Sequence, residues 1–318
     1  MDFKSYWMRI IRGFTFFAFG YLPLVIVSAQ TSDPNATDPG SNLNYGEAVI
    51  YGLVEGVTEF LPVSSTGHLI LTKEWMAADS DSDANIALNA YLIVIQAGAI
   101  LAVGMLYRRD VWAIVLGVFG LDPRGRVLGR NLLLAFLPAA ALGPFLDDFI
   151  EKSLLHPLPV AVALAVGALL MFWAERMRAK RERGDATGST LGLREIQPRS
   201  ALFIGVLQCV AMCPGTSRSM MTIVGGYLVG LRPAKAAEFS FLLGLVTLTA
   251  AAGYKVLTKG DVMAANLELG PIFAGCLVAG ISAALAVRWL VGYLSRRGLG
   301  LFAWYRLVLA ALVLIFLS

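Results

Sequence analysis

The sequence predicts an all-α polytopic membrane protein, with six transmembrane helices and two re-entrant helical hairpins arranged as an inverted-topology repeat. Three observations lead there. Hydrophobic residues make up 57% of the 318 and charged residues only 15%, with a mean hydropathy of +0.69, too apolar for an ordinary soluble domain. The apolar runs are helix-length, unlike the alternating segments of about ten residues in a membrane barrel. Finally, two polar, proline-broken stretches recur along the chain, and each precedes three further apolar runs.

Residues 1–29 carry Lys4, Arg9 and Arg12, an apolar stretch over 13–27 and small residues at Ser28 and Ala29. They read as a signal-like segment cleaved after Ala29, or as an uncleaved anchor. Either exports the polar linker at 30–44. The first repeat half, 45–174, opens on residues 48–68, AVIYGLVEGVTEFLPVSSTGH. If helical, Gly52, Glu55, Gly56 and Glu59 share one face, and Pro62 stops the helix. A charge near mid-membrane costs roughly 2.5 to 3.5 kcal/mol on insertion scales, so Glu55 and Glu59 point to function more than to a water-facing cap. Residues 69–77 are too short to span, so the two halves flanking Pro62 form a re-entrant hairpin.

Spans follow at 86–107, 131–150 and 157–174, with a short interfacial piece at 111–121. The connection bearing Arg108, Arg109, Arg124, Arg126 and Arg130 is basic, and the one bearing Asp147, Asp148, Glu151 and Lys152 is net acidic. The positive-inside rule makes the first cytoplasmic and the second periplasmic. Residues 175–200 hold seven arginines and lysines and read as the largest cytoplasmic loop. The second half, 201–318, has short halves at 201–212 and 220–231, then spans at 236–257, 269–290 and 301–318. Arg296 and Arg297 place the last connection inside, which puts both termini in the periplasm.

Sliding the chain on itself so that Gly52 meets Gly205 also puts Glu55 on Gln208, Ser64 on Ser217 and Ser65 on Arg218. Pro62 falls one residue from Pro214. Three spans per half reverse the orientation, so the first hairpin enters from the periplasm and the second from the cytoplasm, as in many transporters. In the second copy, CPGTSRS (213–219) offers Thr216, Ser217, Ser219 and a guanidinium at the start of a short helix. Helix N-terminal N–H groups and arginine both favour a multi-oxygen anion such as phosphate. Ser64, Ser65 and His68 occupy the equivalent place in the first copy. The competing reading has the hydroxyls capping the short helices and Arg218 pairing with Glu55 or Glu59 as a structural staple.

Composition excludes other classes. The net charge of +4 is what cytoplasmic loops supply and implies no nucleic-acid partner. The three cysteines, Cys209, Cys213 and Cys276, lie in apolar segments without zinc-site spacing, and two histidines, His68 and His156, are too few for a multi-histidine metal centre. A membrane lipid phosphatase of the paired-histidine type is excluded because His156 precedes Pro157 with no SRxxxH context.

EGVTEFLPVSSTGH (55–68) and PGTSRS (214–219), supported by AAEFSFLLG (236–244), resemble the undecaprenyl-diphosphate phosphatase family linked to bacitracin resistance, over residues 45–318. Met220 departs from the pattern, standing where the family usually has glycine. The resemblance implies an integral inner-membrane enzyme that hydrolyses undecaprenyl diphosphate to the monophosphate and inorganic phosphate, recycling the lipid carrier of cell-wall synthesis. It also implies a divalent cation, Mg²⁺ or Ca²⁺, and a site open to the periplasm. Glu55 and Glu59 are then assigned to the cation, and Thr66, Thr216, Ser217, Arg218 and Ser219 to the phosphates. Either Ser65 or Ser64 attacks with His68 as base, or His68 activates water. The inverted repeat keeps a second reading open, a transporter or flippase of polyprenyl phosphate, and a homo-oligomer is compatible with the sequence.

Overall fold

The computed structural model describes residues 44–76, 82–184, 191–266 and 269–317; the signal-like segment, most of the linker and the loop at 77–81 lie outside them. The described residues form eleven helices and no strand; one isolated parallel bridge joins Leu191 to Leu231. In order these are α1 (Tyr45–Thr58), α2 (Ser65–Trp75), α3 (Ser82–Leu106), α4 (Arg108–Val118), α5 (Pro123–Ser153), α6 (Pro157–Gly184), α7 (Pro198–Val210), α8 (Arg218–Leu228), α9 (Pro233–Asn266), α10 (Leu269–Arg297) and α11 (Gly300–Leu317).

Local chemistry sets the starts. Asn44 accepts the Glu47 N–H while Glu47 reaches back to the Asn44 N–H, a reciprocal cap on α1. Asp122 accepts from the N–H groups of Arg124 and Gly125 at α5. Proline opens α5, α6, α7 and α9, where its missing N–H costs nothing.

Among the described residues, four helices are long and apolar enough to cross a membrane: Pro123–Asp147, Pro157–Arg183, Pro233–Thr258 and Leu269–Arg297. A fifth is reached if Tyr91–Leu106 and Arg108–Val118 count as one span, although they meet at 82°. The chain is therefore a multi-pass helical membrane protein. By contrast, α1, α2, α7 and α8 have 14, 11, 13 and 11 residues, and at 1.5 Å per residue none reaches the roughly 30 Å of a hydrocarbon core.

Three expectations change. The first short helix stops at Thr58, with Glu59 as its C-cap, rather than running to Pro62; the last bond is Glu59 N–H to Glu55 O, since the Pro62 ring would clash with the Thr58 carbonyl and disfavours helical backbone at Leu61. The basic connection at 108–130 is mostly helical, α4 packing on the first turns of α5. The basic run from Glu175 begins as helix: α6 continues to Gly184, held by Arg178 pairing with Glu175 and Glu182 one turn away on each side.

The halves exchange contacts. α1 packs on α10 and α7 on α5, α3 meets α9, and α6 meets α11. At Gly52 a Cβ would strike the carbonyl of Gly275, and at Gly205 the carbonyl of Ala135. The positions paired by the sequence repeat thus make the same backbone-to-backbone approach in both halves. Core side chains from both halves, such as Phe60, Met221, Phe241 and Phe302, belong to one buried cluster. The three cysteines are free and half-buried, and Cys209 and Cys276 donate to the carbonyls of Gly205 and Val94 as packing residues.

Candidate active site

Two turns meet in the interior: 59–64 between α1 and α2, and 211–217 between α7 and α8. Each ends in a serine with φ 74°, Ser64 and Ser217, and these are the only non-glycine residues with positive φ among the described residues. Such a conformation costs about 1–3 kcal/mol and persists where the surroundings enforce it. Each serine caps the helix that follows: Ser64 Oγ accepts the Gly67 N–H at 3.4 Å, and Ser217 Oγ the Met220 N–H at 3.3 Å. The capping half of the structural reading is therefore correct. It leaves the first N–H groups of α2 and α8 without intrahelical partners, at two adjoining helix N-termini.

Arg218 crosses from the second turn to the first. Its Nη2 donates to Glu59 Oε1 at 2.9 Å, its Nη1 donates to the Ser240 carbonyl at 2.9 Å, and its guanidinium lies 5.3 Å from the Phe60 ring centre. A Cβ on Gly244 would occupy the guanidinium's place. The other Glu59 oxygen accepts the Ser65 hydroxyl at 2.8 Å. Side-chain exposure is only 8% for Glu59 and 12% for Arg218, so both charges are largely desolvated. A pair so placed is weak evidence for stability, because desolvation offsets much of its attraction. Ser219 binds the turns together, donating to the Leu61 carbonyl at 2.7 Å and lying 3.0 Å from Ser217 Oγ. Thr66 and Thr216 flank the turns, Thr66 in the first turn of α2 and Thr216 immediately before Ser217.

His68 sits one turn into α2 but is not joined to Ser65. Its Nδ1 lies 2.7 Å from the Ser64 carbonyl and its Nε2 2.6 Å from the Tyr305 hydroxyl, with the two rings stacked. A carbonyl only accepts, so Nδ1 carries the proton and, in the neutral ring, Nε2 accepts from Tyr305. It is Glu59 and not His68 whose side chain meets the Ser65 hydroxyl.

Sequence reading missed two residues of α11. Tyr305 carries no signal beyond being aromatic. Arg306 does: an arginine inside an apolar 18-residue helix is costly unless buried in protein. It is fully buried, donating to the carbonyls of Gly215, Leu164 and Ala163 and filling the space beside Gly167. It thereby holds the carbonyl side of the 211–217 turn.

Glu55 is fully buried, and neither carboxylate oxygen has a partner within ordinary hydrogen-bond geometry among the described residues, Gln96 being the polar side chain that faces it. It lies beside Glu59 and Gln96. No group of three or more His, Cys, Asp or Glu side chains converges among the described residues. The buried Glu55 carboxylate with Glu59 beside it is the donor type a hard cation such as Mg²⁺ takes, one or two carboxylates with the rest of the shell from substrate phosphate and water. An all-protein cage is not what they offer.

The profile of the family described as Bacitracin resistance protein BacA matches residues 48–312. A protein of Acinetobacter baumannii named undecaprenyl-diphosphatase is 42% identical over 274 residues, covering 86% of this chain and 96% of its own. One of Bordetella avium with the same name is 40% identical over 285 residues, covering 87% and 99%. Undecaprenyl-diphosphatase 3 of Acinetobacter baylyi is 42% identical over 273 residues, covering 86% and 98%.

Proposed function

The chain belongs to the bacitracin resistance protein BacA family, and from that premise we propose that it acts as an undecaprenyl-diphosphatase through one site shared by its two halves. It hydrolyses undecaprenyl diphosphate to undecaprenyl phosphate and inorganic phosphate, which returns the lipid carrier to cell-wall synthesis and links the protein to bacitracin resistance. The observation that carries the site assignment is the Ser65–Glu59–Arg218 chain, in which a hydroxyl, a carboxylate and a guanidinium are joined in the interior.

In this reading the terminal phosphate binds between the N-termini of α2 and α8, with Ser217, Ser219, Thr216 and Thr66 around it. It competes with Glu59 for the Arg218 guanidinium, whose position is set by Ser240 and Gly244. Arg218 then neutralises charge on the transferring phosphoryl group. Released from that ion pair, the Glu59 carboxylate accepts the Ser65 proton as Ser65 Oγ attacks phosphorus. The bridging P–O bond breaks and undecaprenyl phosphate leaves. Water next attacks the phosphoserine, giving inorganic phosphate and returning the serine. His68, held by Tyr305 and the Ser64 carbonyl, keeps the turn in place beside the leaving group. Glu55 would hold the divalent cation, which supplies further charge neutralisation when bound, and Glu59, paired with it as a cation ligand in the sequence reading, is then left to act as the base.

The six-span, inverted-repeat arrangement is part of the same proposal. Counting α3 and α11 with the four long helices gives six spans, and the exchanged pairs α1–α10 and α7–α5 support two halves of opposite orientation. The basic face of α4 and α5 then lies in the cytoplasm, the site opens to the periplasm and both termini are periplasmic. The same exchange motivates a second activity, movement of polyprenyl phosphate. Glu59→Gln protein in liposomes would still carry lipid phosphate across if that activity exists, and no movement by either protein would dismiss it.

Purified protein is expected to release phosphate from a polyprenyl diphosphate, to stop on chelation of divalent cations, and to yield acid-stable phosphoserine at Ser65. Normal turnover of Ser65→Ala would remove the serine step while leaving the phosphatase reading intact.

A further inference from the structure

We propose that the groove between α4, the first turns of α5 and α9 is a binding site for an anionic phospholipid, its phosphate held by Arg126 and Arg130 and its acyl chain lying along the groove. The site is separate from the phosphatase centre and does not depend on that reaction. The groove is a cavity of about 520 Å³ walled by apolar side chains, among them Val111, Ile114, Val118, Leu133, Leu242 and Leu245. Among the described residues, Arg126 and Arg130 are the only charged ones lining it. They stand four residues apart on α5 and so share one rim.

The two arginines are exposed, and neither is ion-paired among the described residues. The nearby acid Asp122 is committed to the α5 cap, and Asp110, in the first turn of α4, does not line the cavity. Their charge is therefore available to an anion. A free phosphate would leave the apolar walls facing water, whereas a phospholipid satisfies rim and wall together. The wall is built: a Cβ at Gly125 would strike the Ala113 carbonyl, and one at Gly117 the Arg126 backbone, so α4 and α5 are locked at backbone contact. The helix α4 turns through 82° from the end of α3 and leaves Trp112, Val118 and Phe119 exposed at 63%, 77% and 73%, the pattern of a helix lying in a membrane interface. In the orientation proposed above this is the inner leaflet, where lipid of this charge is met.

The test is native mass spectrometry of the full chain with phosphatidylglycerol and phosphatidylcholine offered together. The expected result is a retained phosphatidylglycerol adduct that millimolar inorganic phosphate does not displace. Arg126→Gln with Arg130→Gln should lose at least about tenfold in apparent affinity, and the double lysine variant should keep most of it. Val115→Trp, which fills the groove without touching either charge, should lose the lipid as well. Phosphate release from a detergent-dispersed prenyl diphosphate, unchanged in all variants, reports that they fold. Equal phosphatidylglycerol retention by the Gln variant or by Val115→Trp, preference for phosphatidylcholine, or displacement by phosphate alone would each overturn the proposal.

Discussion

Arg218 is fixed from three sides, by Glu59, by the Ser240 carbonyl and by the missing side chain of Gly244. Displacing a charged group by about 1 Å can cost on the order of 100-fold in rate. Gly244→Ala is accordingly expected to lower kcat/KM for phosphate release by about that factor while the protein still purifies as a folded monodisperse species; unchanged kinetics would mean that the guanidinium position is immaterial. Arg306→Leu, which frees the Gly215 carbonyl behind the same turn, should reduce turnover by at least about tenfold. Glu59 and Arg218 were legible in the sequence because a charge in an apolar segment has few innocent explanations. Arg306 carried the same signal within a span read only for length. The partners Tyr305 and Ser240 were not legible, since their roles arise from contacts between helices distant in sequence.

Among the elements, the two short-helix hairpins carry the positional precision. Valine at Gly52 or at Gly205 would drive a branched side chain into a facing backbone carbonyl. Each substitution should destabilise by about 1–3 kcal/mol or more, read as a lower unfolding temperature in detergent. Similar losses at the two sites are expected because the same approach occurs twice, and a loss at one alone would argue against equivalent halves. At α5, hydrogen bonds from the Gly125 and Arg124 N–H groups hold the Asp122 carboxyl below the usual carboxylate range. A lowered pKa stabilises the fold above the unfolded value and is lost as pH falls through the folded one. Protection of the Arg124 and Gly125 amides from hydrogen exchange should therefore persist at neutral pH, fade in acid below about pH 4, and be absent throughout in Asp122→Ala. The extents of α4 and the far end of α6 escaped sequence reading for a shared reason. Their arginines read as loop charge, yet arginine is also a good helix former and here sits within helices.

For the molecule as a whole, the composition was enough to read a multi-pass helical bundle, and the sequence match of Ser64 with Ser217 pointed to two serine-ended turns of like backbone, which both serines show at φ 74°. The sequence could not show how the halves interlock, since α1 finds its main partner in α10 and α7 in α5. The proposed orientation makes a plain prediction. With Cys209, Cys213 and Cys276 replaced by alanine, a membrane-impermeant thiol reagent should label Phe149→Cys from the periplasm and Val118→Cys only after the membrane is opened; labelling of both from one side would refute it. The central claim is that one residue from each half forms a single phosphohydrolase site. It is tested most directly by the double-mutant cycle of Glu59→Gln and Arg218→Ala, read as metal-dependent phosphate release from polyprenyl diphosphate. Each single variant should lose at least about 100-fold, and the double variant should be little worse than either. Full activity in either single variant, or losses that simply multiply in the double, would contradict it.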